Sequence, residues 1–101
     1  MRNTTSKNSK KEYIEEFLRV LDKIGSDNKL REEFMLDMLT PSEIEELGLR
    51  WQIIKRLAKG VSHREIGKEL KISISTISRG SRELSDPNGG FEKVLKKLKI
   101  I

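Results

Sequence analysis

The chain has 101 residues, 35% of them hydrophobic and 37% charged, with a formal net charge of +5. That length fits one domain rather than two ordinary ones, and so modest an apolar supply is of the kind that a partner chain completes. With no cysteine and a single histidine, His63, disulfides, thiolate metal sites and histidine clusters are excluded, and no metal is expected.

Charge is distributed unevenly along the chain. Residues 1–10 carry three bases and no acid, residues 11–50 six bases against eleven acids, and residues 51–101 twelve bases against five acids. The second half is therefore +7, which points to a polyanion at one end of the molecule, although lysine-rich helix faces also serve merely to solvate a protein. The opening MRNTTSKNSKK is basic with no apolar stretch behind it, unlike a secretory signal. No apolar run approaches the roughly 20 residues that span a bilayer. A cytoplasmic protein without membrane contact is expected.

In chain order, residues 1–10 read as a disordered basic arm. Tyr13, Ile14, Phe17, Leu18, Leu21 and Ile24 then recur at helical spacing, and Gly25-Ser26 ends that helix. A second helix from about Asp27 carries Leu30, Phe34 and Met35, and the two make up an N-terminal pair over residues 11–38. In LTPSEIEE, Thr40 is an N-cap, Pro41 suits the first helical position and Glu43 completes a capping box. The long helix opened there places Ile44, Leu47, Trp51, Ile54, Leu57 and Ala58 on one face, with Trp51 in the core, and stops near Gly60. Ser62 and Glu65 form a second capping box before Ile66 and Leu70, and Ser73 caps a further helix to about Leu84. SDPNGG is a break, and Phe91, Val94, Leu95 and Leu98 mark a final amphipathic helix within residues 86–101. The expected fold is all-α, with about six helices.

The stretch SHREIGKELKISISTISRGS, residues 62–81, has the spacing of a helix-turn-helix. Ile66, Leu70, Ile72 and Ile77 would pack two short helices across a tight turn, with Gly67 where they approach most closely. Lys71 stands where many such turns have glycine, and a left-handed conformation costs an L side chain energy. With Ile77 in the core, Ser75, Thr76, Ser78, Arg79 and Arg82 occupy the remaining surface of the second helix. Small hydroxyl side chains let a helix sit deep in a major groove and bond bases, phosphates or bridging water.

These residues resemble the bacterial tryptophan repressor family over about residues 38–84, through MLTPSEIEELGLR, SHREI and STISRGS. The resemblance implies an intertwined all-α homodimer in which a second chain covers the apolar face of the first helix. Residues 11–38 would be the dimerisation helices, residues 39–85 the long helix and the DNA-binding motif, and residues 86–101 a linker and a C-terminal dimer helix. Two recognition helices would stand about 34–36 Å apart, one turn of DNA. The implied function is a sequence-specific DNA-binding transcriptional repressor of double-stranded operator DNA, with L-tryptophan as corepressor.

By position, the resemblance makes Arg50 and Arg79 the arginines that flank the indole ring and hold the carboxylate, as guanidinium groups do. Thr40 falls near the carboxylate, Gly80 at the ring edge, and Leu39 offers a backbone carbonyl from the other subunit to the ammonium. Glu83 replaces a serine that bonds the ammonium, so it either strengthens that bond or pairs with Arg79 and closes the pocket. Asp37 replaces an apolar residue that supplies a second carbonyl. The expected DNA-facing set is Ser62, His63, Arg64, Lys68, Ser73, Ile74, Ser75, Thr76, Ser78 and Arg82, with Gly67 in place of an operator-contacting lysine. Taken alone, Arg50 could instead pair with Glu46, and Arg79 could contact phosphate. The alternative function is a constitutive DNA-binding regulator of the same fold with an altered or lost ligand pocket. A transposase or recombinase fragment would need a catalytic set, and none is legible.

Overall fold

The computed structural model describes residues 7–101, which form six helices and no strand. The helices are α1 (Lys7–Ile24), α2 (Asn28–Met38), α3 (Pro41–Ala58), α4 (His63–Leu70), α5 (Ile74–Leu84) and α6 (Phe91–Lys97). The chain divides into two compact units, Met1–Thr40 and Pro41–Ile101. Of the basic arm expected over residues 1–10, residues 1–6 lie outside the described residues, and Lys7–Lys10 open α1.

The first unit is a helical hairpin. Gly25 supplies the positive φ of +58° that ends α1, and Asp27 caps α2 by accepting from the Leu30 N–H at 3.1 Å. Arg31 ties the corner by donating to the Gly25 carbonyl at 2.6 Å and to the Asn28 side chain at 2.7 Å. Phe17 and Phe34 stack with ring centroids 5.8 Å apart. Tyr13, Ile14 and Leu18 remain exposed, as do Leu30, Leu36 and Met38. Half of the α1 face that its periodicity marks as apolar is thus exposed, while Phe17, Leu21 and Ile24 are half-buried.

The second unit is built on α3, against which α4, α5 and α6 all pack. Its core joins Ile53 of α3 to Ile66 of α4 and Ile77 of α5, with Leu49, Leu57, Val61, Leu70 and Ile72 around them. Ile54, Ile66 and Ile77 are fully buried, and removing each such side chain from water stabilises the fold by about 1.5–3 kcal/mol. Of the expected α3 stripe, Ile54 is fully buried and Leu57 packs on the core, but the buried surface also extends to residues the stripe left out. Leu49 and Ile53 face the helix-turn-helix, whereas Leu47 is 43% exposed and Trp51 only half-buried. α3 has apolar residues on two sides, and α4 and α5 take the Ile53 side.

Short helices are not stable alone, and here their ends are fixed by side chains. Ser62 accepts from the Glu65 N–H and Ser73 from the Thr76 N–H, each at 3.2 Å, and such caps contribute about 0.5–2 kcal/mol apiece. Arg56 of α3 adds an ion pair to Glu69 of α4 at 3.2 Å, worth at most about 1 kcal/mol at this exposure. Leu95 of α6 is fully buried within this unit, while Val94 and Leu98 stay exposed.

The turn of the motif is Lys71–Ser73, and Lys71 adopts φ 56°, ψ 50°. The left-handed conformation costs an L residue roughly 1–2 kcal/mol, partly offset by the roughly 0.5–1 kcal/mol of chain entropy that glycine would lose on folding. Replacing Lys71 with glycine is therefore expected to raise unfolding free energy by about 0.5–1 kcal/mol in urea titrations. A lower midpoint would mean that the lysine side chain contributes more than its backbone strain costs.

Candidate nucleic-acid interface and ligand pocket

The start of α5 gathers the hydroxyls. Ser73 Oγ lies 3.0 Å from Ser75 Oγ and 2.8 Å from Thr76 Oγ1, so the capping residue also orders the two side chains that follow it. No acid stands in the first turn of α5, and the partial positive charge of a helix N-terminus there favours electronegative groups. Ser73, Ile74, Ser75, Thr76 and Arg82 are exposed, as are Ser62, Arg64 and Lys68 around α4. His63 and Ser78 are half-buried. Ile74 is an apolar residue on this polar surface, 53% exposed, and such a side chain suits a thymine methyl group.

Gly67 lies where α4 meets the start of α5. A Cβ there would come within 3.3 Å of the Ile72 carbonyl oxygen and 3.6 Å of the Ile77 side chain. The glycine thus serves the packing of the two helices and offers no side chain to a phosphate.

On the other side of α5, a cavity of about 310 Å³ opens between that helix and α3. From α3 it is lined by Glu46, Leu49, Arg50, Ile53 and Ile54, and from α5 by Thr76, Arg79, Gly80 and Glu83. Its volume lies at the lower end of the range for small-molecule sites, and four of its nine lining residues are charged. Thr76 belongs both to this cavity and to the hydroxyl cluster.

Of the six residues expected to hold a ligand, Arg50, Arg79, Gly80 and Glu83 come together here, while Leu39 and Thr40 belong to the first unit and do not line the cavity. Arg79 Nε donates to Glu83 Oε1 at 3.1 Å, one of the two arrangements open to Glu83 from sequence. Among the described residues no ion pair joins Arg50 to Glu46. Gly80 is buried, and a Cβ on it would come within 3.1 Å of Ile53 Cγ2. Its missing side chain thus sets how closely α5 approaches α3, beyond leaving room for a ring. Sequence reasoning missed Glu46, Leu49, Ile53, Ile54 and Thr76 as lining residues, because Glu46 read as a surface partner of Arg50, Ile54 as core and Thr76 as DNA-facing, while Leu49 and Ile53 fell outside the expected stripe.

Comparison with known proteins accords with this layout. A family model described as Trp repressor protein matches residues 12–99. The chain belongs to the Trp repressor family. It is similar to a Trp operon repressor homolog of Actinobacillus succinogenes, with 42% identity over 76 residues, covering 72% of this chain and 71% of the relative. A second such homolog, from Vibrio campbellii, is 38% identical over 73 residues, 71% of this chain and 73% of the relative. A third, from Haemophilus influenzae, is 36% identical over 81 residues, 79% of either chain. This member of the Trp repressor family is a DNA-binding transcriptional regulator and not an enzyme.

The tight approach at Gly80 yields a prediction. Ile53 is itself buried in the core, so a methyl group there overpacks at about 1–3 kcal/mol, more than the roughly 1 kcal/mol that alanine gains in helix propensity. Gly80→Ala is expected to destabilise the repressor by about 1 kcal/mol net, read as a lower urea midpoint at unchanged m-value. A midpoint at or above the parent value would show that the interface has slack.

Proposed function

We propose that this repressor acts as a cytoplasmic homodimer on double-stranded operator DNA and is gated by L-tryptophan as corepressor. The observation that carries the proposal is that one helix, α5, bears the exposed hydroxyl cluster and also one wall of the cavity, with Thr76 in both. The residues present fit the ligand. Leu49, Ile53 and Ile54 give an apolar surface for an indole, and Arg50 and Arg79 offer guanidinium groups that stack on aromatic faces and bond carboxylates. Leu39 and Thr40 would reach the ligand from the partner chain of the dimer, as the family resemblance implies.

A ligand seated between α3 and α5 favours one placement of the recognition helix. Gating follows only if that placement is the one that fits DNA, because a ligand that binds every geometry equally shifts nothing. Ile74, Ser75 and Thr76 would then read base edges, with Ser62, His63, Arg64, Lys68, Ser73, Ser78 and Arg82 on phosphates or bridging waters. The dimer is supported by the exposed apolar residues Tyr13, Ile14 and Leu18 of α1, a face that a second copy would cover.

The Arg79–Glu83 ion pair favours a second reading, a constitutive regulator of the same fold. Here the carboxylate already occupies the guanidinium that a ligand would use. A titration of operator duplex with the purified chain, with and without L-tryptophan, separates the two. Corepression predicts at least about a tenfold gain in affinity with ligand, the arithmetic of a coupling near 1.4 kcal/mol. In both readings affinity falls steeply as salt rises, because phosphate contacts release counterions. Equal affinity with and without L-tryptophan would leave the constitutive reading standing.

A further inference from the structure

We infer that Lys71, in the turn between α4 and α5, contacts a DNA phosphate and completes a row of cations along α4. The inference rests on the proposed DNA-facing surface and adds to it a residue outside the expected set. Lys71 adopts φ 56°, ψ 50°, a conformation that costs an L residue energy and that persists where something else holds it. Its backbone closes α4, the N–H donating to the Gly67 carbonyl, a task that glycine performs as well. The side chain has no such task in the fold. It is exposed, and among the described residues no ion pair engages it. The nearby acid Glu69 is already paired with Arg56 at 3.2 Å. A cation also favours a helix C-terminus, which serves equally for Lys99, with φ 58° after α6. What sets Lys71 apart is its position.

Arg64, Lys68 and Lys71 follow one another at four and three residues, the spacing of one helix face, and all three are exposed. The row spans about 10 Å at the helical rise per residue, and each DNA strand carries a phosphate per roughly 3.4 Å of axis. Its far end adjoins the hydroxyl cluster. Lys71 precedes Ser73 by two residues, within about 7 Å of chain, and the Ser73 hydroxyl orders those of Ser75 and Thr76. In helix-turn-helix proteins, Trp repressors among them, the second helix meets base edges with its first residues while the first helix crosses the backbone. A lysine in the turn that joins them stands at the groove wall, beside phosphate oxygens. Such a contact adds affinity on any sequence and reads none.

Fluorescence anisotropy of the full-length chain tests this across a salt series, with L-tryptophan present throughout. One duplex is selected by the parent from a random-sequence pool, and the other has an unrelated mixed sequence. Lys71→Gly and Lys71→Gln are expected to lose on the order of tenfold in affinity at about 0.1 M salt, equally on both duplexes. The slope of log affinity against log salt should become shallower by about 0.9 for each chain bound. Lys71→Arg and Lys99→Gly should keep the parental slope. Circular dichroism establishes that each variant is folded, and if one Lys71 variant is not, the other decides. An unchanged slope in the folded Lys71 variants, or an equal fall in Lys99→Gly, overturns the contact and leaves the rest of the DNA-facing surface standing. A loss confined to the selected duplex makes Lys71 a base reader and overturns it too. Failure of the parent to enrich any duplex overturns both the contact and that surface.

Discussion

The rest of the Pro41–Ile101 unit depends on how α5 seats on α3 at Gly80. A Cβ there would stand 3.1 Å from Ile53 Cγ2, so a side chain at this position requires Ile53 to give by a few tenths of an ångström. Gly80 lies within α5 and lines the cavity together with Thr76, Arg79 and Glu83 of the same helix. The same contact anchors Ile77 against Ile53 and Ile66, which turns the hydroxyl-bearing surface outward. Core packing, pocket and reading surface are consequences of a single helix placement.

This arrangement makes the two functional surfaces inseparable. Thr76 touches both the cavity and the Ser73 hydroxyl, so no linker or hinge stands between the proposed ligand site and the proposed DNA contacts. Stability is supplied locally, by serine caps, a small isoleucine core and one ion pair from α3 to α4. In the proposed gating, a few kcal/mol of ligand contact would be of the right size to favour one placement of α5. The left-handed Lys71 at the turn adds strain to an already marginal element.

Much of this was legible in the sequence because helix ends are written in short-range chemistry. Ser62 and Ser73 make the bonds their position predicts, α3 begins at Pro41, and Gly25 ends α1 with a positive φ. Faces are harder to read than ends. α3 carries apolar residues on two sides, and only the packing of α4 and α5 shows that Leu49 and Ile53 join the core while Leu47 stays exposed. Charge pairing was the least legible feature. Both Glu46–Arg50 and Arg79–Glu83 have the four-residue spacing that favours a helical ion pair, yet only the second forms. The first pair borders a cavity whose other wall is α5, about thirty residues further along the chain, which local spacing does not encode.

Hydrogen exchange of the backbone amides, with and without saturating L-tryptophan, tests most directly whether α5 carries both surfaces as one body. The account predicts slower exchange along α5 from Ile77 to Leu84 and along the facing turns of α3, exceeding any change in α6. Exchange in α5 left unaltered by a ligand that nonetheless binds and raises operator affinity would contradict it.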